Sequence, residues 1–135
     1  MTQQKNDFNN LKAGYEFKPA SFRIDATRVS AYLDAVEGDK SIYENNGTVP
    51  PMTVAALSMA AMGKEISMPE GAIHVSQEIE FVGTVRLDEQ LTSRSKVNRV
   101  INRGQLHMLT IGIDVTNEQG SPVLRGVTSF LMPLS

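Results

Sequence analysis

The chain has no cysteine, which removes disulfides, a thiolate nucleophile and cysteine-bound metal from the chemistry it can offer. Histidine is almost as scarce. His74 and His107 are the only two and stand well apart, so neither a metal site nor a cofactor is expected. There is also no excess of charge: 13 Lys and Arg against 15 Asp and Glu leave a formal net charge of −2, with no overall basic field for nucleic acid or an anionic membrane. Long apolar runs are missing too. The least polar stretch, Val49 to Met62, is far shorter than the roughly 20 residues that cross a bilayer. No basic segment followed by an apolar one opens the chain, so a soluble, cytoplasmic protein is expected.

What remains suits one domain, because 135 residues with 41% apolar composition are enough to build a single core. Residues 1–10 are polar, rich in Gln and Asn and without periodicity, which predicts a disordered tail before a domain at 11–135. Tyr15 to Ile24 reads as a short strand interrupted at Pro19. Asp25 is a candidate N-cap, followed by Ala26, Val29, Tyr32, Leu33 and Val36 at helical spacing, with Gly38 placed for a left-handed C-cap. Asp39 to Thr48 reads as a loop, since Asn45, Asn46 and Gly47 favour turns. Pro51 fits a first helical position, and Met52 to Ile66 then carries Ala, Leu, Met and Val on all sides, which predicts a buried helix.

From Ala72 the period changes to two. Ile73, Val75, Ile79 and Phe81 alternate with His74, Ser76, Glu78 and Glu80, as in a strand with one buried face and His74 turned outward. Gln90 to Ile101, Gln105 to Thr116 and Pro122 to Met132 supply three more strands in succession, joined at Asn102-Arg103-Gly104 and Asn117-Glu118-Gln119-Gly120. On the middle one, His107 shares a face with Leu109, Ile111, Ile113 and Val115, the place of a core histidine. One apolar helix and one sheet imply an α+β fold in which a curved antiparallel sheet wraps the helix. An open sheet edge makes a dimer the natural expectation.

The helix from Val49 onward carries orphan N–H groups at its start, where a carbonyl or anionic oxygen can be held beside Asp39 and Tyr43. These are the candidate proton-transfer groups. The plain alternative for Asp39 is an Asx turn, and for Tyr43 a packed ring with one hydrogen bond. Arg94, Lys96, Arg99, Arg103 and Arg125 form the one local excess of positive charge. It suits phosphates or an acidic protein, or else simply a solvated face.

Between Tyr15 and Pro133 the chain resembles the hot-dog MaoC-like (R)-specific enoyl hydratases and acyl dehydratases. The most specific piece runs Tyr32-Leu33-Asp34-Ala35-Val36-Glu37-Gly38-Asp39 through Ile42-Tyr43 to Val49-Pro50-Pro51-Met52. Supporting pieces are His74 to Phe81, Val85 to Glu89 and the Asn117-to-Phe130 hairpin. In active members of that family the loop reads like Gly-Asp-x-Asn-Pro-x-His, and Asp and His activate the water that adds across an acyl-thioester double bond. Here the match is Gly38-Asp39-Lys40-Ser41-Ile42-Tyr43, with Tyr43 standing for the histidine and Pro51 for the glycine whose N–H holds the thioester oxygen. A phenol with a pKa of about 10 is a poor base, and proline has no N–H.

The resemblance therefore implies the N-terminal-half, substrate-binding type: a non-catalytic acyl-CoA or acyl-carrier-protein binder that pairs with itself or with a catalytic hot-dog subunit. Pro51, Met52, Thr53, Arg99 and Arg103 are its expected substrate contacts. The alternatives are an active hydratase using Asp39 and Tyr43, and a hot-dog acyl-CoA thioesterase.

Overall fold

The computed structural model describes residues 6–7 and 10–133. Strand β1 (Asn6–Asp7) pairs in parallel with β3 (Ile66–Ser67). The rest of the expected tail, apart from Asn10, lies outside the described residues. The predicted Tyr15–Ile24 strand is shorter, β2 at Ala20–Arg23, with one bridge from Glu16 to Lys96 ahead of Pro19.

Helix α1 (Ala26–Val36) starts where expected, its Arg28 N–H donating to the Asp25 carboxylate at 2.8 Å. Its end differs from expectation. Glu37, not Gly38, takes the left-handed conformation (φ 55°), and the Gly38 N–H reaches back to Leu33 O at 2.9 Å. Gly38 serves a close approach instead: a Cβ there would stand 2.8 Å from Leu33 Cδ2.

The expected loop at Asp39 to Thr48 holds a two-turn helix, α2 (Lys40–Asn46), which Gly47 terminates at φ 63°. The turn formers of that stretch act as its cap and terminator. Helix α3 (Pro51–Gly63) starts on Pro51 as expected but ends earlier than Ile66, which belongs to β3.

Strands β4 (Ile73–Phe81), β5 (Gln90–Arg103), β6 (Leu106–Thr116) and β7 (Pro122–Pro133) join β2 in an antiparallel sheet of order β2-β5-β6-β7-β4. Thus β4 does not lie beside β5, as a simple succession would have it, but at the far edge along β7. Gly104 (φ 58°) turns the β5–β6 hairpin, and the Asn117 carboxamide accepts the N–H groups of Gln119 and Ser121 in the next.

Leu91, Val97, Leu109, Ile111 and Val115 on the inner face are fully buried, and from α3 Val54, Ala55 and Met62 join the same core. The chain therefore has the hot-dog fold, an α+β structure with α3 against the inner face of a curved sheet. The burial of α3 is one-sided within a single chain, because Met52, Ala56 and Ala60 are exposed.

Two bulges change which side chains face in. At Val75 the pairing of β4 slips by one residue, so His74, Gln77 and Ile79 lie opposite the buried Phe130, Thr128 and Gly126, while Ser76, Glu78 and Glu80 face out. His74 is exposed, as expected, and its Nε2 lies 2.7 Å from the buried Thr128 hydroxyl in a hydrogen bond. Ile73, Val75 and Phe81, expected on a buried face, are 57%, 46% and 43% exposed. A second bulge at Asn98 does the same on β5. His107 is a core residue as expected, with Nδ1 hydrogen-bonded to the Asn102 carboxamide oxygen.

Candidate functional site

The approach of α1, α2 and α3 forms an apolar groove of about 380 Å³. Tyr32 and Val36 wall it on the α1 side, Asp39, Ile42 and Tyr43 on the α2 side, and Pro51 and Met52 at the start of α3, with Phe81 from β4 at its far end. Four of the expected site residues, Asp39, Tyr43, Pro51 and Met52, thus meet in one place. A narrower cavity of about 160 Å³ continues inward past Tyr43, Pro51 and Phe81 to Val54, Val85 and Val123.

Tyr43 borders both spaces. It stands four residues after Asp39, one short of the histidine's place in the active loop, and that place falls on Glu44. Tyr43 is half-buried and borders the groove, whereas Glu44 is exposed.

The Asp39 carboxylate is the N-cap of α2. One oxygen accepts the Ser41 N–H at 2.9 Å and the Ser41 hydroxyl at 2.6 Å. The hydroxyl bond first, then the amide bond, stabilise the ionised form and hold the carboxyl below its usual pKa of 3.8. A carboxylate made more acidic is a weaker base. The plain Asx-turn reading therefore describes Asp39 as it stands in the folded chain.

Helix α3 begins on Pro50 and Pro51, with no side-chain cap, so its first available N–H is that of Met52. Thr53 follows but does not border the groove. It is buried, and its hydroxyl has no hydrogen-bond partner among the described residues. Arg99 and Arg103 are not brought to this site. Both lie on the outward side of β5, paired with Thr110 and Leu106, while α3 packs against the inward side. Among the described residues no group of His, Asp and Glu gathers in a metal-binding cluster, and no helix is long and apolar enough to cross a membrane.

A family model described as FAS1-like, dehydratase domain region matches residues 12–125. The chain belongs to that family. No curated protein matches it. Among solved structures, the unliganded R-hydratase PhaJ1 from Pseudomonas aeruginosa is 20% identical, with a TM-score of 0.75 over 94% of this chain and 85% of that one. The (R)-hydratase from A. caviae involved in PHA biosynthesis is 18% identical, with a TM-score of 0.74 over 93% and 98%. The C-terminally truncated HadBC complex from Mycobacterium tuberculosis, a 3R-hydroxyacyl-ACP dehydratase, is 18% identical, with a TM-score of 0.70 over 88% and 96%. The hot-dog fold expected from the sequence holds, and the family is one of dehydratase domains.

Sequence reasoning missed Ile42, Val36 and Phe81 as groove-forming residues. For Val36 and Ile42 the signal was there: apolar side chains at positions where loop and helix-end composition is otherwise polar.

Proposed function

We propose that this FAS1-like dehydratase domain binds acyl thioesters in the groove at the start of α3, as the non-hydrating subunit of a hetero-oligomeric (R)-hydratase or dehydratase of the cytoplasm. The observation that carries this reading is the state of Asp39. Its carboxylate is exposed and capped by Ser41, and its neighbour in the groove is a phenol rather than an imidazole. Water addition to an enoyl thioester needs a base poised near neutral pH, and neither group fits that need. The groove itself fits an acyl chain, since Tyr32, Val36, Ile42, Met52 and Phe81 offer it apolar contact. The Met52 N–H lies where a thioester carbonyl can be held. The reading rests on this groove, not on Arg99 and Arg103.

The need for a partner follows from what one chain leaves uncovered. Among the described residues strand β4 has a neighbour on one side only, and Val75, Phe81 and the exposed stripe of α3 stand open beside it. A second hot-dog chain aligned along β4 covers all of these at once and brings its own Asp/His loop beside the groove. The HadBC neighbour is itself a complex.

Titration with crotonyl-CoA tests the reading. Saturable binding by the purified chain with no loss of enoyl absorbance and no thiol release is expected. Robust hydration by the chain alone supports the active-hydratase alternative, and thiol release supports the thioesterase.

A further inference from the structure

The outward face of the sheet, opposite the groove, carries two wide depressions of about 390 and 470 Å³, which share Lys96 and Asp114. On this face the strand register sets residues of β5, β6, β7 and β4 side by side in rows. One row reads Arg94, Asp114, Arg125, Glu80, with charge alternating at every step. The next reads Lys96, Gly112, Val127, Glu78, and the one after it Arg99, Thr110, Ser129, Ser76. A fourth is apolar: Ile101, Met108, Leu131, Ile73. All of these side chains are exposed or half-buried.

The two rows that carry charge of both signs, and the apolar row, are complementary to themselves read backwards, while the row between them sets Arg99 over Ser76. A twofold axis in the plane of the face, parallel to the strands and midway between β6 and β7, lays every row over its own reversed copy. Arg94 then meets Glu80, Asp114 meets Arg125, and Lys96 meets Glu78. Val127 stands over Gly112, against which the Asn98 carboxamide of the same chain already lies. Thr110 faces Ser129, and the apolar row faces itself. An axis running across the strands fails this test, because it sets the charged row over Met108 and Leu131.

From this single operator, which pairs every charge of the first two rows with its opposite and lays the apolar row on itself, we propose that the outward face docks a second copy of the same chain, sheet against sheet. Aligned sheets pack about 10 Å apart with strands within about 30° of each other, a geometry the operator allows. Charge pairs across such a contact fix register and exclude wrong partners. Within one chain the exposed Arg125–Asp114 pair, 3.9 Å apart, is too solvated to contribute much stability. The contact is independent of the acyl-binding groove and of pairing along β4, since it uses the opposite face of the sheet.

Charge reversal tests the proposal in a way that separates it from effects within a chain. In Arg125→Glu, the new carboxylate faces the second copy's Asp114; in Asp114→Arg, the new guanidinium faces its Arg125. Either variant alone repels itself, but the two mixed restore both attractions, although the pair within each chain stays broken. Sedimentation equilibrium at one protein concentration should show each variant at half the wild-type mass and the equimolar mixture back at the wild-type mass. Equal masses for wild type and both variants, or a mixture that stays at the variants' mass, overturns the proposal and leaves a solvated face. Neither substitution should alter crotonyl-CoA binding.

Discussion

The Asp39 carboxylate accepts both hydrogen bonds that Ser41 can offer it, from the backbone N–H at 2.9 Å and from the hydroxyl at 2.6 Å. One side chain thereby becomes the start of α2, the helix that carries Ile42 and Tyr43 into the groove. Ser41→Ala removes one of these bonds and Asp39→Ala removes both. Thermal unfolding should rank them wild type, Ser41→Ala, Asp39→Ala in falling stability, with Asp39→Asn close to wild type because Asn caps nearly as well. The folded-state pKa of Asp39 lies below 3.8, so its ionic contribution is fully present above that value and is lost as pH falls through the lowered folded-state pKa. The stability gap between wild type and Asp39→Asn should therefore change only in strong acid. A gap that changes near neutral pH would contradict the capping role.

Glu37 ends α1 at φ 55°, a region that costs an L side chain roughly 1–2 kcal/mol and glycine little. Glu37→Gly should raise the unfolding free energy by about 0.5–1 kcal/mol after glycine's extra entropy in the unfolded chain. Gly47→Ala is the reverse case. At φ 63° with open space around it, it should lose about 1 kcal/mol through backbone strain alone. Urea unfolding of the two variants should move the midpoint in opposite directions.

Two buried threonines make a second opposed pair. The Thr128 hydroxyl is fully buried and hydrogen-bonded to His74, whereas that of Thr53 is buried with no partner among the described residues. Thr128→Val should cost about 1 kcal/mol, since it removes a made bond; Thr53→Val should be neutral or stabilising. If Thr53→Val costs as much as Thr128→Val, the Thr53 hydroxyl is satisfied in the folded protein.

Ile42 is 53% exposed and touches the core little, so Ile42→Asp should change stability by less than about 0.5 kcal/mol. It places a charge on the groove wall, and crotonyl-CoA affinity should fall at least tenfold by calorimetry. Unchanged affinity would move the acyl site elsewhere.

Much of this fold was legible because its signals are local. Asp25 and Pro51 mark helix starts by their own chemistry, and the β6 face from His107 to Val115 shows its period directly. Helix α2 was hidden because Asp39, Ser41, Asn45, Asn46 and Gly47 are residues of turns as well as of helix ends. The hydrogen bond between His74 and Thr128 was hidden for a different reason. A bulge adds one residue and inverts the pleat without any mark in composition, and Val75 looks like any strand residue. The place of β4 beside β7 is a property of the whole chain, which no window of sequence carries. At the site, Asp39, Tyr43, Pro51 and Met52 fell together because three consecutive helices fold back on one another. Arg99 and Arg103 did not, because strand alternation sends them to the other face of the sheet.

The most direct test follows crotonyl-CoA absorbance with the purified chain alone and then with a hot-dog subunit bearing an intact Asp/His loop. No turnover alone, saturable binding, and hydration only with the partner, lowered by Ile42→Asp, is the predicted result. Hydration by the chain alone that is abolished by Asp39→Asn would show the capped carboxylate to be a working base and would contradict the central claim.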